Sequence, residues 1–323
     1  MKAAVHDRYG SEEVVEIQEV ERPETADDDV LVRVHAASLN RSDWYAVAGK
    51  PLVARPMMGG IVKPKDHTLG GDFAGVVEAV GANVTDFAPG DEVFGVRHGA
   101  FAEYVCVPQD GGIGRKPANL TFEQAAAVPI AGLTALQGLR DHGGLEPGQQ
   151  VLLNGASGGV GTFAVQIAQA LGGDVTAVCS TRNVELARSL GADRVIDYTR
   201  EDFTRGDPRY DLMLDVAGSR SWHACKRVLK PRATVVLVGG PMTPLVGPLG
   251  HIAAMRLAAL RSSRKLVFFV AKPNRADLEH LGGLLAAGQI RPVVERRYEL
   301  AEIREAFHVM GDGHPQGKHV IAV

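Results

Sequence analysis

Apolar and polar residues alternate along several short runs before Thr121, which indicates β-strands rather than helices. The clearest of these runs are VLVRVHA at 30–36, VVEAVG at 76–81 and FAEYVCV at 101–107. Clusters of Gly, Pro and Asp separate them, as turns require. Short strands with frequent turns predict a barrel-like or sandwich-like β domain over residues 1–121.

The pattern changes at Thr121, which is a predicted helix N-cap because Glu123 and Gln124 place polar groups in the first turn. Beyond Pro147, short apolar runs alternate with stretches of helical period, which predicts a parallel sheet built from βαβ units. The predicted strands lie at 150–154, 174–179, 194–196, 211–215 and 234–238, and the predicted helices at 160–171, 184–190 and 221–229.

Strand-like and mixed patterns return after Phe268 and end on KHVIAV at 318–323. Because the two ends of the chain look alike, we predict one discontinuous domain, 1–121 completed by 270–323, interrupted by a second domain at 122–269. The stretch 49–68 contains Gly, Pro, Met and Lys without a period. It is predicted to be a long loop that shapes substrate entry.

The composition is that of an ordinary globular protein, with 323 residues, of which 45% are hydrophobic and 23% charged. The net charge of −3 argues against a general nucleic-acid-binding surface. Three scattered cysteines do not make a disulfide framework, and the N-terminal residues have no secretory pattern. No apolar run reaches the roughly 20 residues of a membrane span, so a cytoplasmic location is expected.

One stretch, 252–265, reads as a basic amphipathic helix that would fit an anionic membrane surface. A helix on the domain surface with solvated arginines explains the same pattern and is the favoured interpretation.

Candidate chemistry begins with VLLNGASGGVGTFAVQIA at 151–168, where four glycines follow a predicted strand and open a predicted helix. Such glycines allow a tight turn and a close approach to a pyrophosphate, and free N–H groups at the helix start would face its oxygens. The spacing G-x-x-G-G-x-G is not the strict dinucleotide motif, so its position between strand and helix carries the argument. The Gly-Lys-Ser/Thr ending of an ATP or GTP P-loop is absent from this loop, which argues against that kind of site.

The next predicted strand ends in CSTR at 179–182, where NAD-preferring proteins place an acidic residue. A guanidinium beside hydroxyl groups suits the 2′-phosphate of NADP, so NADPH is the predicted cofactor. Arg182 as a solvated helix-start residue is the alternative. Asp174 lies at the wrong end of the strand, whereas Glu185 lies further on and weakens the prediction.

A series of motifs resembles a known family over essentially the whole chain. They are LGGDFAGVVEAVG at 69–81, PGDEVFG at 89–95, AGLTAL at 131–136, NGASGGVG at 154–161, LGADRVIDY at 190–198 and GKHVI at 317–321. Together they are similar to zinc-independent medium-chain dehydrogenases/reductases of the quinone oxidoreductase branch. The resemblance implies an α/β fold in which a Rossmann doubly wound parallel sheet is inserted into a GroES-like β-barrel domain. It also implies hydride transfer from NADPH to a substrate between the domains, and a homodimer.

The same resemblance assigns cofactor-binding residues. The loop that cradles the pyrophosphate would comprise Gly155, Ala156, Ser157, Gly158, Gly159, Val160 and Gly161. The positions near the adenosine 2′-phosphate would be Ser180, Arg182 and Tyr198. The positions near the nicotinamide and its ribose would be Thr134, Val238, Gly239, Phe268, Phe269 and Val270, and Lys318 would also lie near the cofactor. The segment LNRSDWY at 39–45 would face the substrate, which singles out Asn40, Asp43 and Tyr45.

No metal site is expected. Where zinc-dependent relatives have a cysteine and a His-Glu pair, this chain has Asn40 and Gly71-Asp72. His67, Asp72 and Cys106 are nominal donors, but Cys106 lies in an alternating strand as a small core residue would. Without a Lewis acid, the favoured acceptors are those that take hydride readily, quinones and α,β-unsaturated carbonyls.

Within the substrate-facing segment, Asn40 is a candidate hydrogen-bond donor to the acceptor carbonyl, or else a turn cap. Tyr45 is a candidate proton donor, or else a packed aromatic. Asp43 is more often a residue that pins such a loop. Two alternatives to the predicted reductase stay open: an enone or alkenal reductase with little quinone activity, and a non-catalytic NADPH sensor or RNA-binding relative.

Overall fold

The structure is a computed structural model that describes residues 1–56, 60–207, 209–241, 245–311, 313 and 316–323. Residues 57–59 of the predicted 49–68 loop therefore lie outside the described residues. Internal contacts divide the chain into two compact units. The terminal unit comprises 1–133, 272–288 and 292–323, and the central unit comprises 134–271 and 289–291. The chain first passes from the terminal unit to the central unit between residues 133 and 134, whereas the predicted boundary lies between 121 and 122. The difference arises because the helix that begins after Thr121 packs with the terminal unit.

The strands, in chain order, are β1 (Lys2–Val5), β2 (Glu16–Glu19), β3 (Asp29–Leu39), β4 (Asp72–Val80), β5 (Glu92–Val96), β6 (Tyr104–Pro108), β7 (Ile113–Arg115), β8 (Gln150–Asn154), β9 (Asp174–Cys179), β10 (Arg194–Asp197), β11 (Tyr210–Asp215), β12 (Leu229–Leu237), β13 (Lys265–Phe268), β14 (Val294–Glu299) and β15 (Lys318–Ala322). The α-helices are α1 (Arg41–Ala48), α2 (Phe122–Ala126), α3 (Pro129–Gln137), α4 (Gly159–Ala170), α5 (Val184–Ser189), α6 (Trp222–Cys225), α7 (Gly247–Ala259), α8 (Arg275–Ala286) and α9 (Ile303–Gly311).

The described residues of the central unit form a six-stranded parallel sheet in the order β10-β9-β8-β11-β12-β13. The strand order reverses direction beside β8, as in doubly wound sheets that bind ligands at the carboxyl ends of their strands. The predicted alternation of strands and helices is confirmed here, with shifts of a few residues at several ends. The predicted helix at 221–229 is shorter, since α6 passes into a 3-10 turn at 226–228 and β12 begins at Leu229.

The terminal unit has a seven-stranded sheet in the order β14-β15-β3-β4-β5-β7 among the described residues, with β6 paired to β3. The carboxy-terminal strand joins the amino-terminal segment in it, because β15 pairs antiparallel with the end of β3, whereas β1 and β2 form a separate two-stranded sheet. The last strand of the protein thus lies beside the residues that precede α1. This pairing determines which side chains of 38–43 and 318–322 come together.

Two helices in the carboxy-terminal segment replace the mixed strand-like pattern expected there. Helix α9 buries Ile303, Ala306, Phe307 and Met310, a spacing of three or four residues that is typical of one helix face. Helix α8 begins after Asn274, whose side chain accepts a hydrogen bond from the N–H of Asp277 at 2.8 Å. Both signals were present in the sequence, and α9 in particular was readable from its period.

The basic stretch at 252–265 lies mostly in α7. Ile252 and Met255 are buried on its inner side, whereas Leu257 is 72% exposed. The helical part of the stretch ends at Ala259 and lies on the surface of the central unit. The exposed Leu257 fits either interpretation, and both stay predictions. Among the described residues, no helix combines the length and the apolar character needed to cross a bilayer.

Candidate active site

The glycine loop, residues 155–161, connects the end of β8 to the start of α4. Gly155 has a φ of 91°, in the left-handed region where a side chain is strained. At Gly161, a Cβ atom would lie 2.1 Å from the carbonyl oxygen of Gly155. Glycine is therefore required at both positions for α4 to begin so close to the strand, as the motif predicted.

Helix α4 has Gly158 as its N-cap, with a φ of −80°. Because glycine has no side chain to accept from the first-turn amides, those N–H groups are left for another acceptor. Among the residues that the structure describes, the only atom within 4 Å of a Cβ at Gly158 would be the Gly155 oxygen, at 3.9 Å. Open space in front of free N–H groups at the positive end of a helix fits a pyrophosphate.

Asn183, which was not singled out from the sequence, ties the glycine loop to the segment after β9. Its Nδ2 donates to the Oγ of Ser157 at 2.8 Å and to the Oγ of Ser180 at 3.3 Å. The side chain is buried, and its Oδ1 has no hydrogen-bond partner among the described residues. Asn183 thus fixes the spacing between the two segments predicted to bind the two phosphate regions of the cofactor.

The other cofactor candidates of the central unit follow the carboxyl ends of its strands, with Thr134 on α3 as the exception. Because parallel strands end at one edge, these candidates share that edge. They are Ser180 and Arg182 after β9, Tyr198 after β10, Val238 and Gly239 after β12, and Phe268, Phe269 and Val270 at and after β13. Gly239 has no room for a side chain, since a Cβ would lie 2.3 Å from the Val216 oxygen.

An acidic residue missed in the sequence lies at this edge. Asp197 ends β10 and is the Cα partner of Cys179 on β9. Its carboxylate accepts hydrogen bonds from the hydroxyl groups of Thr181 at 2.6 Å and Thr199 at 2.7 Å. The Thr181 hydrogen bond is the main cause that lowers the pKa of Asp197. A carboxylate therefore lies beside the segment predicted to hold a 2′-phosphate.

A buried carboxyl joins the carboxyl ends of β8 and β11. Asp215 Oδ1 accepts from Asn154 Nδ2 at 2.7 Å and from the Gly218 N–H at 2.8 Å. Burial raises the pKa of Asp215. These bonds hold the turn after β11 against the glycine loop. A Cβ atom at Gly155 would lie 3.3 Å from Ala217 in that turn.

The terminal unit contains a second constellation, the polar cluster, formed by Ser38, Asn40, Asp43, Asp72 and Lys318. Asp72 lies at its centre and is 0% exposed. Its Oδ2 accepts from Ser38 Oγ at 3.0 Å, Asn40 Nδ2 at 2.8 Å and Lys318 Nζ at 3.2 Å. Its Oδ1 accepts from the N–H of Ile130 at 2.9 Å. One buried carboxylate is thus fully surrounded by donors.

Asn40 and Lys318 form the second contact of this cluster. Lys318 Nζ donates to Asn40 Oδ1 at 2.5 Å, and the lysine is 3% exposed. Lys318 was expected near the cofactor, and that role stays a prediction; its ammonium in this unit contacts Asn40 and Asp72. Asn40 precedes α1 as its N-cap residue and is 8% exposed.

Asp43 is buried in the first turn of α1 and accepts a hydrogen bond from the Asn40 N–H at 2.7 Å. Burial is the main cause that raises the pKa of this carboxyl to about 7, with the charge of Asp72 adding to it and Lys318 opposing it. The geometry is that of a residue pinning the β3–α1 junction, the structural alternative considered for Asp43.

Tyr45 lies on α1, partly buried beside Trp44, with ring centroids 5.7 Å apart. None of the described residues forms a hydrogen bond with its hydroxyl group. Burial raises the pKa of Tyr45, and Arg41 opposes this shift. A phenol that keeps its proton and has no hydrogen-bond acceptor among the described residues is chemically able to donate to a ligand.

The nominal metal donors are not brought together. His67 pairs with Asp7 at 2.7 Å, Cys106 donates to the backbone oxygen of Glu24, and Asp72 lies in the polar cluster. Within the part of the chain that the structure describes, no three His, Cys, Asp or Glu side chains form a group able to hold a metal ion.

Two family descriptions match the chain. Residues 26–118 match the alcohol dehydrogenase GroES-like domain, and residues 190–321 match a family described as zinc-binding dehydrogenase. Relatives match over nearly its full length. The chain is 36% identical to mouse NAD(P)H oxidoreductase RTN4IP1, mitochondrial, covering 100% of this chain and 89% of the relative. It is 33% identical to the tomato 2-methylene-furan-3-one reductase, covering 99% and 79%.

Solved structures show the same architecture. The quinone oxidoreductase of Coxiella burnetii superposes with a TM-score of 0.87 at 31% identity, covering 100% of this chain and 99% of that one. The Escherichia coli quinone oxidoreductase complexed with NADPH gives a TM-score of 0.85 at 25% identity, covering 100% of both chains. The predicted fold class and the resemblance are confirmed. The chain is an oxidoreductase that belongs to the quinone oxidoreductase branch of the medium-chain dehydrogenase/reductase family.

Proposed function

We propose that this protein is an NADPH-dependent reductase that transfers hydride to quinones or α,β-unsaturated carbonyls without a metal. The observation that carries the proposal is the glycine loop, whose open, amide-lined front fits a dinucleotide pyrophosphate. The relatives support it, because their names include an NAD(P)H oxidoreductase, a furanone reductase and a quinone oxidoreductase bound to NADPH.

The central unit holds the cofactor in this proposal. Residues 155–161 contact the pyrophosphate, and the residues after β12 and β13, with Thr134, contact the nicotinamide end. Ser180, Arg182 and Tyr198 bind the adenosine 2′-phosphate. The Asp197 carboxylate opposes a phosphate there, but it is engaged by the Thr181 and Thr199 hydroxyls and lies 3.4 Å from Arg200. When bound, the reduced nicotinamide supplies the hydride.

Residues of the terminal unit act on the acceptor. The Asn40 side chain donates a hydrogen bond to the acceptor oxygen, which gains negative charge as its conjugated carbon receives hydride. The Tyr45 hydroxyl holds the proton that completes the reduction of an enone, or that neutralises a quinone oxygen. The phenol is protonated at neutral pH, and burial, which raises the pKa of Tyr45, makes it release that proton less readily than an exposed tyrosine.

The polar cluster supports a reaction without a metal. The ammonium of Lys318 lies 3.2 Å from Asp72 and contacts Asn40, which stands where zinc-dependent relatives have a cysteine. A divalent ion at the same carboxylate would have to displace or repel this buried cation. Chelation of the purified protein is therefore expected to leave its reductase activity unchanged.

The test is a steady-state assay that follows oxidation of NADPH or NADH with a benzoquinone, a naphthoquinone, a short enone, an alkenal and a simple ketone. The proposal predicts turnover with NADPH and a quinone or enone, and none with the ketone. Turnover with the enone and alkenal alone would favour the enone reductase alternative. Tight NADPH binding without turnover on any acceptor would contradict the proposal and favour the sensor.

Two expectations stay predictions. A homodimer is expected from the family resemblance alone. The cytoplasmic location is unsupported by the relatives, because RTN4IP1 proteins are named as mitochondrial.

A further inference from the structure

The ion pair in the polar cluster is unusually inaccessible. The side chains of Lys318 and Asp72 are 3% and 0% exposed, and their charged atoms lie 3.2 Å apart. Desolvating two charges offsets much of their attraction, so a buried pair by itself adds little to stability compared with apolar residues. Stability alone therefore does not explain the pair. Both of its members contact the Asn40 side chain, which suggests a role in orienting that side chain.

The pair determines which way the Asn40 amide points. An ammonium can only donate, so the amide oxygen must face Lys318, at 2.5 Å. An ionised carboxylate can only accept, so Nδ2 must face Asp72, at 2.8 Å. The flipped amide would place two donors together at one end and two acceptors at the other. One orientation of Asn40 is thus selected by charge.

This orientation leaves one N–H of Asn40 weakly engaged. Nδ2 carries two hydrogens, and one is used by Asp72. The other has the Ser38 carbonyl oxygen at 3.5 Å, beyond the usual range for an N–H···O bond. It also lies near the buried Asp43 carboxyl, since a side-chain hydrogen bond from Asn40 is the smallest of the causes that oppose the raised pKa of Asp43. A cation that pulls on the amide oxygen makes the amide N–H groups stronger donors, because linked hydrogen bonds polarise one another.

We propose that Lys318 and Asp72 are positioning residues that fix the Asn40 amide so that its weakly engaged N–H donates to the acceptor oxygen, with the Lys318 charge stabilising that oxygen through the amide. The inference rests on the proposed role of Asn40. No proton is transferred along this chain of contacts, and Lys318 acts on the acceptor only through Asn40.

The test compares Lys318→Met with wild type and repeats the comparison in an Asn40→Ala background. Lys318→Met is expected to lower the single-turnover rate with a saturating enone by about 10-fold to 100-fold, less than the loss of a direct oxyanion donor. In the Asn40→Ala background, the same change is expected to lower the rate less than about 3-fold, because its target is gone. Equal effects in both backgrounds would overturn the proposal.

A second variant separates positioning from folding. Lys318→Met leaves Asp72 as a buried unpaired charge, whereas Lys318→Met with Asp72→Asn removes both charges. The double variant is expected to melt within a few degrees of wild type while its rate stays low. Lys318→Arg is expected to recover part of the rate. Recovery of both melting temperature and rate in the double variant would mean that the pair is structural only. A raised Kd for NADPH with an unchanged rate would instead place Lys318 at the cofactor.

A readout without turnover distinguishes this proposal from the proposed function. The side-chain amide signals of Asn40 in a nitrogen–proton spectrum, identified by their loss in Asn40→Ala, are expected to shift strongly in Lys318→Met. If wild type reduces no acceptor but these signals shift, the proposed function fails and the positioning stands. If the signals do not respond to Lys318→Met, the positioning is wrong whatever the activity.

Discussion

The glycine loop of the central unit and the polar cluster of the terminal unit are built in opposite ways. The loop uses backbone from consecutive residues, and its shape depends on side chains being absent at Gly155 and Gly161. The cluster uses side chains from separate strands, and Lys318 contacts Asn40 across 278 positions of sequence. A site built from local backbone leaves a motif in the sequence, whereas a site built by long-range strand pairing leaves only scattered residues.

The two regions also differ in electrostatics. The loop presents partial charges of backbone amides at a helix start, which need no buried ionised group. The cluster buries a carboxylate, an ammonium and a carboxyl with a pKa of about 7. Changes in the loop should therefore act through space and backbone conformation, and changes in the cluster through charge and pH.

The largest effect is expected for Gly161→Ala. Its new Cβ would lie 2.1 Å from the Gly155 oxygen, so the loop or α4 must shift. The Kd for NADPH, measured by fluorescence titration, should rise by at least about 100-fold, and the melting temperature should fall.

Gly158→Ala is the matched control, because its Cβ would meet nothing closer than 3.9 Å. Its free energy of unfolding should stay within about 1 kcal/mol of wild type, while the Kd for NADPH rises by about 10-fold. If both variants bind NADPH as wild type does, the loop is not the pyrophosphate site.

Arg182→Ala is expected to raise the KM for NADPH by about 10-fold or more and to change the KM for NADH little, because only NADPH has the 2′-phosphate. Arg188→Ala removes an equal charge from α5, where Arg188 pairs with Glu185, and serves as the control. Equal changes in the KM of both cofactors would remove the proposed phosphate role of Arg182.

The effect expected for Asp43→Asn is on stability rather than on cofactor binding, and it depends on pH. Folding raises the pKa of Asp43 from 3.8 to about 7, so between these values the folded protein keeps a proton that the unfolded chain has lost. The stability that this proton contributes is present at low pH and is lost as the pH rises toward 7, at up to about 1.4 kcal/mol per pH unit.

Asp43→Asn should not lose stability in this way as the pH rises. The difference between its free energy of unfolding and that of wild type, measured in denaturant titrations, should therefore increase from pH 5 to pH 8. Asp110→Asn, at an exposed position, is the control. Parallel pH profiles for Asp43→Asn and wild type would show that the carboxyl is not buried in its neutral form.

The sequence predicted the local features of this molecule well. The β8–glycine loop–α4 unit and the Thr121 cap follow from hydrogen bonding and sterics within a few residues, and the structure has them as expected. Asn40 and Asp43 were found through a family resemblance, but the contacts of Asn40 with Asp72 and Lys318 were not foreseen. Those contacts depend on the pairing of β15 with β3 and of β3 with β4, which no local pattern specifies.

Asp72 and Lys318 did leave a weak signal. Each is a charged residue shortly before a run of apolar or small residues, FAGVV at 73–77 and VIA at 320–322, where burial without an opposite charge is unfavourable. Two such residues beside apolar runs are a reason to expect them to pair. Asn183 left no comparable signal, because a buried asparagine bridging two loops is recognisable only once both loops are placed.

The most direct test measures two quantities on two variants, the Kd for NADPH and the single-turnover rate with a saturating enone, in Gly158→Ala and Asn40→Ala. We expect Gly158→Ala to raise the Kd by about 10-fold with little change in the rate at saturating NADPH. We expect Asn40→Ala to lower the rate by about 100-fold with the Kd nearly unchanged. An Asn40→Ala protein that reduces the enone at the wild-type rate, or a Gly158→Ala protein with wild-type affinity, would contradict the assignment of cofactor binding to the loop and acceptor activation to the cluster.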